Sequence, residues 1–286
     1  MIQCYHQADQ EAASMDGLTH DKLLQIERDN PKETQLDKDM RLTVRKSNQL
    51  IQRNRFDMTV REQRLLLYCI SRIKPTDKGG ELYNVRIRDV CRASGIEGDI
   101  DGEAYGAIHE AVKKLDSYNF ELKDDQGAIH FVHWIRDTKI DRRKGSIYFR
   151  FDPMVTPYLF NVRRYFTQYD LENVIQLHSG YAIRLYELLK SYENIRGKEF
   201  TIAELRYLLV AENRSYDKYS LFKKYVLEPA ISEIKETTDL QADFIEIKKG
   251  RKVTGLKFVI SNGWAEKAER HLEQLDRKHH PERYAE

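Results

Sequence analysis

A chain of 286 residues with 41% hydrophobic and 33% charged side chains can build about two cores of ordinary domain size, and its mean hydropathy of −0.69 excludes a protein made of membrane-spanning helices. No run approaches the ~18 apolar residues of a spanning helix, and Met1-Ile-Gln-Cys-Tyr-His6 lacks the basic and apolar regions of a signal peptide, so a cytoplasmic address and no membrane partner are expected. The net charge of +2 hides an uneven distribution: residues 1–40 carry four basic and nine acidic side chains and residues 262–286 five and six, which leaves 39 basic against 31 acidic in 41–261, a balance that suits an anionic partner.

Residues 1–40 combine many charges, Pro31 and little periodicity, and read as a mobile acidic arm with one short helix near 18–28. The fold is expected to start near Leu42. Thr59-Val-Arg-Glu62 is a capping-box pattern ahead of an apolar run in which Leu66, Cys69 or Ile70, and Ile73 share one helical face; Pro75 and Gly79-Gly80 end that helix. A short strand over 82–87, a short helix over 89–93 closed by Gly95, and a longer helix over 102–118 with Ile108, Ala111, Val112 and Leu115 inward come next. Three strands follow over 119–123, 129–135 and 146–151, with turns at Asp124-Asp-Gln-Gly127 and at the basic Arg142-Arg143-Lys144-Gly145. Pro153 and Pro157 open a short helix leading to Arg163-Arg164. This segment is an interdomain connection, because Tyr158, Phe160, Tyr165 and Phe166 ask for burial.

The order then repeats. Tyr181-Ala-Ile-Arg-Leu-Tyr-Glu-Leu-Leu-Lys-Ser-Tyr192 echoes Thr59-Val-Arg-Glu-Gln-Arg-Leu-Leu-Leu-Tyr-Cys-Ile-Ser-Arg-Ile73, and the following elements recur at a spacing of roughly 115 to 120 residues. A helix over 178–193 carries Ala182, Leu185, Leu189 and Tyr192 on one face and stops at Gly197; Phe200 enters a short strand and Thr201-Ile-Ala-Glu204 caps the next helix. A long helix over 218–237 turns Leu227, Ile231 and Ile234 inward, with a kink expected at Pro229, and strands over 241–248 and 252–260 flank Lys249-Gly250-Arg251. Glu110-Ala-Val-Lys-Lys-Leu115 aligns with Pro229-Ala-Ile-Ser-Glu-Ile234. Each copy thus reads as helix, strand, two helices and a basic-tipped hairpin. The fold class is α+β, two tandem winged-helix domains related by internal duplication, with 1–40 as the arm, 41–165 as the first domain, 166–261 as the second and 262–286 as a charged helical tail.

The three cysteines, Cys4, Cys69 and Cys91, show no paired spacing, so neither a disulfide framework nor a thiolate zinc site is expected, and Cys69 and Cys91 read as buried, inert thiols. There is no G-x-x-x-x-G-K-[ST] loop, since Gly197-Lys198 is followed by Glu199; no cofactor and no ATP hydrolysis are expected. An enzymatic alternative is a rolling-circle initiator that nicks DNA with a tyrosine, using a metal held by two histidines one residue apart. His130-Phe-Val-His133 has two residues between its histidines, which on a strand sends the rings to opposite faces.

The faces left over after core filling point to DNA. In the second copy Lys218, Ser220, Lys223 and Lys224 lie outward near the start of the long helix, and the hairpin tip offers Lys248, Lys249, Arg251 and Lys252, a combination suited to base readout plus phosphate anchoring. In the first copy Arg142, Arg143 and Lys144 form an equivalent tip, but Glu103 and Glu110 weaken its long helix as a DNA reader.

Four ordered blocks, Ser47-Asn-Gln-Leu-Ile-Gln-Arg-Asn-Arg-Phe-Asp-Met-Thr-Val-Arg-Glu-Gln-Arg-Leu-Leu-Leu67, Tyr181-Ala-Ile-Arg-Leu-Tyr-Glu-Leu-Leu-Lys190, Phe222-Lys-Lys-Tyr-Val-Leu-Glu-Pro-Ala-Ile-Ser-Glu-Ile234 and Lys248-Lys-Gly-Arg-Lys-Val-Thr-Gly-Leu-Lys-Phe258, closely resemble the initiator (Rep) proteins of theta-replicating bacterial plasmids. The resemblance implies two winged-helix domains that bind as a monomer to tandem origin repeats (iterons) in double-stranded DNA and recruit the host initiator and replicative helicase. It also implies a homodimer through the first domain that represses the protein's own promoter. Carried over residue by residue, it makes Lys223, Lys224, Arg251 and Lys252 the strongest DNA contacts. A plain winged-helix repressor remains an alternative, which two unequal DNA-binding domains in one chain disfavour.

Overall fold

The computed structural model describes residues 42–96, 102–123 and 128–262. The helices expected near 18–28 and within 262–286, together with Cys4, lie outside the described residues.

The first set of elements is β1 (Thr43–Ser47), α1 (Asn48–Arg53), α2 (Val60–Ser71), β2 (Tyr83–Arg86), α3 (Ile87–Ala93), α4 (Glu103–Ser117), β3 (Asn119–Lys123), β4 (Ile129–His133), β5 (Ile135–Asp141) and β6 (Ser146–Phe151). A short helix α5 (Thr156–Leu159) leads to the second set: β7 (Phe166–Asp170), α6 (Leu171–Ile175), α7 (Gly180–Lys190), β8 (Gly197–Thr201), α8 (Ile202–Leu208), α9 (Tyr219–Phe222), a π-helical turn (Lys223–Leu227), α10 (Glu228–Thr237), β9 (Leu240–Lys249) and β10 (Lys252–Asn262). Strand, two helices, strand, two helices and a closing hairpin recur in order. Two three-stranded antiparallel sheets, β2-β6-β5 and β8-β10-β9, form the wings.

Local chemistry explains most boundaries. Thr59 and Thr201 each form a complete capping box, with Glu62 and Glu204 at the third helical position, while Ser47 and Ser179 cap α1 and α7. The inward residues of the two long helices correspond as the alignment requires: Ala111, Val112 and Leu115 in α4, and Ala230, Ile231 and Ile234 in α10. Gly197 in β8 is fixed by close approach, since a Cβ there would lie 2.4 Å from the carbonyl oxygen of Phe258.

Several sequence expectations are corrected. The strand expected over 129–135 is two strands in different sheets: β4 pairs with β3, whereas β5 pairs with β6. The chain turns between them at Trp134, which is fully buried against Phe56 and Phe120, so an indole anchored in the core redirects the backbone. The long helix does not simply kink at Pro229. A π turn, in which the Glu228 N–H reaches the Lys223 carbonyl, precedes it and lets α10 restart with the proline in its first turn, where a missing donor costs little. Phe160 is buried as expected of the connection, but Tyr165 is 84% exposed, in left-handed backbone at φ 52°.

Helix α2 was expected to bury one face; instead every residue from Glu62 to Ser71 is buried, and in α7 every residue from Ala182 to Leu189. Each repeat's central helix is covered on one side by its own domain and on the other by its counterpart. Strands β1 and β7 pair antiparallel, from Thr43 opposite Asp170 to Ser47 opposite Phe166, and the apolar residues from Val44 to Ile260 form one continuous core.

Two arginines in equivalent positions lock this arrangement, each five residues beyond its helix cap. Arg64 of α2 donates to the carbonyl of Leu177 just after α6 (2.8 Å), and Arg184 of α7 donates to those of Ile51 and Asn54 at the end of α1 (2.7 Å each). Each cation thus satisfies carbonyls at a helix C-terminus in the other repeat, where the helix dipole also favours positive charge. Beside Arg184, Glu187 is 3% exposed and contacts Lys46 of β1, itself 2% exposed; Tyr169 donates its hydroxyl to the same carboxylate, and Arg184 Nη1 lies 3.4 Å from its other oxygen. Burial alone would raise the Glu187 carboxyl, but Lys46 and Arg184 outweigh it and hold the group below the usual carboxylate range; burial pushes Lys46 down.

Replacing Glu187 by Gln strands two buried cations and should cost about 3–5 kcal/mol in denaturant unfolding. Because the folded carboxyl lies below its unfolded value, its stabilisation is complete above roughly pH 4.3 and is lost as the pH falls through the folded value. The stability gap between parent and Glu187→Gln should therefore narrow in acid. Gly197→Ala should cost about 1–3 kcal/mol through its clash with Phe258, read as a lowered Tm.

Candidate nucleic-acid interface

In the second repeat, the approach to the long helix is held by Arg206 of α8. Its guanidinium donates to the carbonyls of Tyr216 and Asp217 (2.8 Å to the latter) and lies over the Phe222 ring. Asn213 caps the intervening turn by accepting from the Ser215 N–H at 2.9 Å. With Phe222, Val226, Leu227 and Ala230 in the core, the opposite face of the helix is left to solvent.

Lys218, Ser220 and Lys224 are exposed there, and Tyr225, which the sequence reading did not single out, is 56% exposed beneath the Lys224 ammonium. An outward aromatic next to lysines in a core-forming helix was the available signal.

Lys223 is placed differently. Its Nζ donates to Glu246 Oε1 of β9 at 2.9 Å and lies 3.9 Å from Glu228, and the Tyr219 hydroxyl donates to the same Glu246 oxygen at 2.9 Å. Lys248 Nζ sits 3.2 Å from the other oxygen of Glu246. The hydrogen bonds from Lys223, Tyr219 and Lys248 hold the Glu246 carboxyl down at about 2, and the bond to Glu246 raises Lys223. One carboxylate therefore ties the start of the long helix to the hairpin and offsets two of the candidate cations. Sequence reading missed it because the partners lie 23 and 27 residues away.

At the hairpin tip, Gly250 and Arg251 form a two-residue loop between the paired Lys249 and Lys252, and Gly250 supplies the φ of 63° that the turn needs at its first central position. Lys249, Arg251 and Lys252 are exposed, and none is in an ion pair among the described residues. Lys218, Ser220 and Lys224 on the helix and Lys249, Arg251 and Lys252 at the tip thus belong to elements joined through Glu246. Together they present hydrogen-bond donors and positive charge to one class of ligand, a polyanion.

The first repeat is built alike but charged otherwise. Arg142, Arg143 and Lys144 are exposed in the β5–β6 turn, where the Lys144 N–H donates to Asp141 and the Arg142 guanidinium lies 4.8 Å from the centre of the Tyr105 ring in the first turn of α4. The exposed surface of α4 mixes signs: His109 lies against Glu110, and Lys114 is 3.3 Å from Glu62. His130 and His133 both fall in β4, where their spacing puts them on opposite faces. Cys69 and Cys91 are buried, and burial pushes the Cys69 thiol up to about 12. No helix among the described residues is long and apolar enough to cross a membrane.

Comparison with known proteins places these features in a family. A replication initiation protein of Escherichia coli is 25% identical over 226 residues, covering 77% of this chain and 69% of that protein, and the PI protein of E. coli is 23% identical over 262 residues, covering 76% and 84%. A crystal structure of the Pi initiator protein in complex with iteron DNA matches with a TM-score of 0.63 at 21% identity, over 77% of this chain and 97% of that one, and shows the fold. The family models for the WH1 and WH2 domains of initiator replication proteins match residues 43–190 and 201–260. With two winged-helix domains matched over most of its length, the chain belongs to the initiator replication (Rep) protein family.

Proposed function

We propose that this protein initiates plasmid replication by binding tandem iterons in double-stranded origin DNA, promoting origin opening and recruiting the host initiator and replicative helicase. It acts in the cytoplasm, without catalysis of its own, and as a homodimer it represses its own promoter. Residues 166–261 form the main reading domain, and residues 41–165 serve dimerisation and auxiliary contact with DNA through Arg142, Arg143 and Lys144. The observation that carries this reading is the pairing, in the second domain, of exposed donors on the long helix with exposed cations at the adjoining hairpin tip. Helix donors suit base edges in a major groove and tip cations suit the flanking phosphates. Family membership supports the assignment, as does the Pi initiator, whose crystal structure is in complex with iteron DNA.

A nuclease footprint of the purified protein, without added metal, across the DNA flanking its gene should show protection of direct repeats at a regular spacing of about two helical turns. Absence of such protection, together with a metal-dependent nick and protein covalently attached to DNA, would replace this reading with the tyrosine nuclease. Within the interface, Arg251→Ala should weaken binding to all sequences alike and lower the salt slope by about one. Lys224→Ala should cost about 1–3 kcal/mol, selectively on the repeat, as measured by competition with unrelated duplex.

A further inference from the structure

We propose that Glu246 sets the discrimination between the repeat and unrelated DNA by withholding Lys223 and Lys248 from phosphates that are not matched to the interface. The inference rests on the reading above and deepens it. Affinity for unrelated duplex is almost wholly phosphate electrostatics, so each free cation on the reading surface strengthens binding to every sequence. Here a carboxylate sits among those cations, bonded to Lys223 at 2.9 Å and 3.2 Å from Lys248, and Tyr219 fixes it from the helix side. Glu228 adds a second acidic group 3.9 Å from Lys223.

A phosphate that engages Lys223 has to displace Glu246 and then lie near a bare carboxylate, which is a repulsive term. Unrelated DNA has no other contact to offset that cost. On the repeat, base contacts from the helix around Lys224 and Tyr225 offset it, so Lys223 swings to the DNA only there. Specificity is gained by penalising the wrong partner more than the right one. The same triad also braces helix against hairpin, and the two roles differ in what they predict.

The test measures binding of the full chain to an unrelated duplex and to the protected repeat across a salt series. Glu246→Gln keeps the side chain's size and an acceptor for Tyr219 but removes the charge. It should tighten binding to unrelated duplex about three- to tenfold, steepen that salt slope by about one to two, and, with repeat binding near the parent value, lower the ratio of repeat to unrelated affinity by about the same three- to tenfold. Adding Lys223→Ala to Glu246→Gln should take back about one of the gained slope. Tyr219→Phe removes the brace and not the charge, so it should leave the salt slope at the parent value.

If Glu246→Gln leaves the unrelated-duplex slope unchanged, or if Glu246→Gln and Tyr219→Phe weaken both DNAs in parallel with a lowered Tm, Glu246 is a brace only and the inference is overturned. A parent protein that binds both DNAs equally would overturn the proposed function and this inference with it. A parent that prefers the repeat, with a Glu246→Gln variant of unchanged ratio, would overturn this inference alone.

Discussion

Two arginines at the same position of two repeats, each reaching into the other repeat to satisfy the end of a short helix, determine how the rest of this molecule is arranged. Burying a guanidinium costs several kcal/mol unless its donors are matched, and Arg184 has carbonyl partners only when α1 of the first repeat is seated against α7. The cluster of Lys46, Glu187 and Tyr169 adds a condition of the same kind, because its charges come from β1 and α7 and neither set can be buried alone. Ionic matching of this type contributes little net stability compared with apolar packing, but it penalises other arrangements heavily. The two winged-helix domains are thereby held as one body with one core.

That constraint explains why α2 and α7 lack a polar face. A helix at the rim of a single domain needs an apolar stripe and a solvated side, whereas these two are covered from both sides and carry their polar groups as cross-links instead of as solvent-facing residues. The long helix and hairpin of the second repeat are built outward from this frame. α10 packs on α7, β9 packs on α10, and the hairpin tip follows from β9 and β10. Positional stiffness thus originates at the buried junction, while the exposed donors and cations are left to the rim.

The rim is not simply basic. Along the second domain's long helix and hairpin, some cations are exposed and have no ion-pair partner among the described residues, as at Arg251 and Lys252, and others are tied to an acid, as at Lys223 and Lys248. Counting lysines in the sequence therefore overstates the free charge of this surface. The π turn beginning at Lys223 adds a geometric element: one extra residue in the turn ahead of Pro229 sets the angular positions of Lys224 and Tyr225 relative to the inward Leu227 and Ile231.

The sequence by itself determined the duplication, the succession of helix, strand, two helices and hairpin in each copy, both capping boxes, the inward residues of α4 and α10 and the basic hairpin tips, because each of these depends on neighbours within a few turns or on a repeated pattern. It did not show the leading strands β1 and β7 or the short helices α1 and α6 that follow them. The close resemblance of four ordered blocks made the family legible as well. Tertiary structure alone decided the pairing of β1 with β7, the change of sheet at Trp134, the full burial of α2 and α7, and the capture of Lys223 by Glu246. These features join residues beyond the reach of local pattern, such as Lys223 and Glu246 at 23 positions apart and Arg184 and Ile51 at 133. Periodicity reports which face of an element is apolar, and only the packed fold shows what covers the other face and which opposite charges meet there.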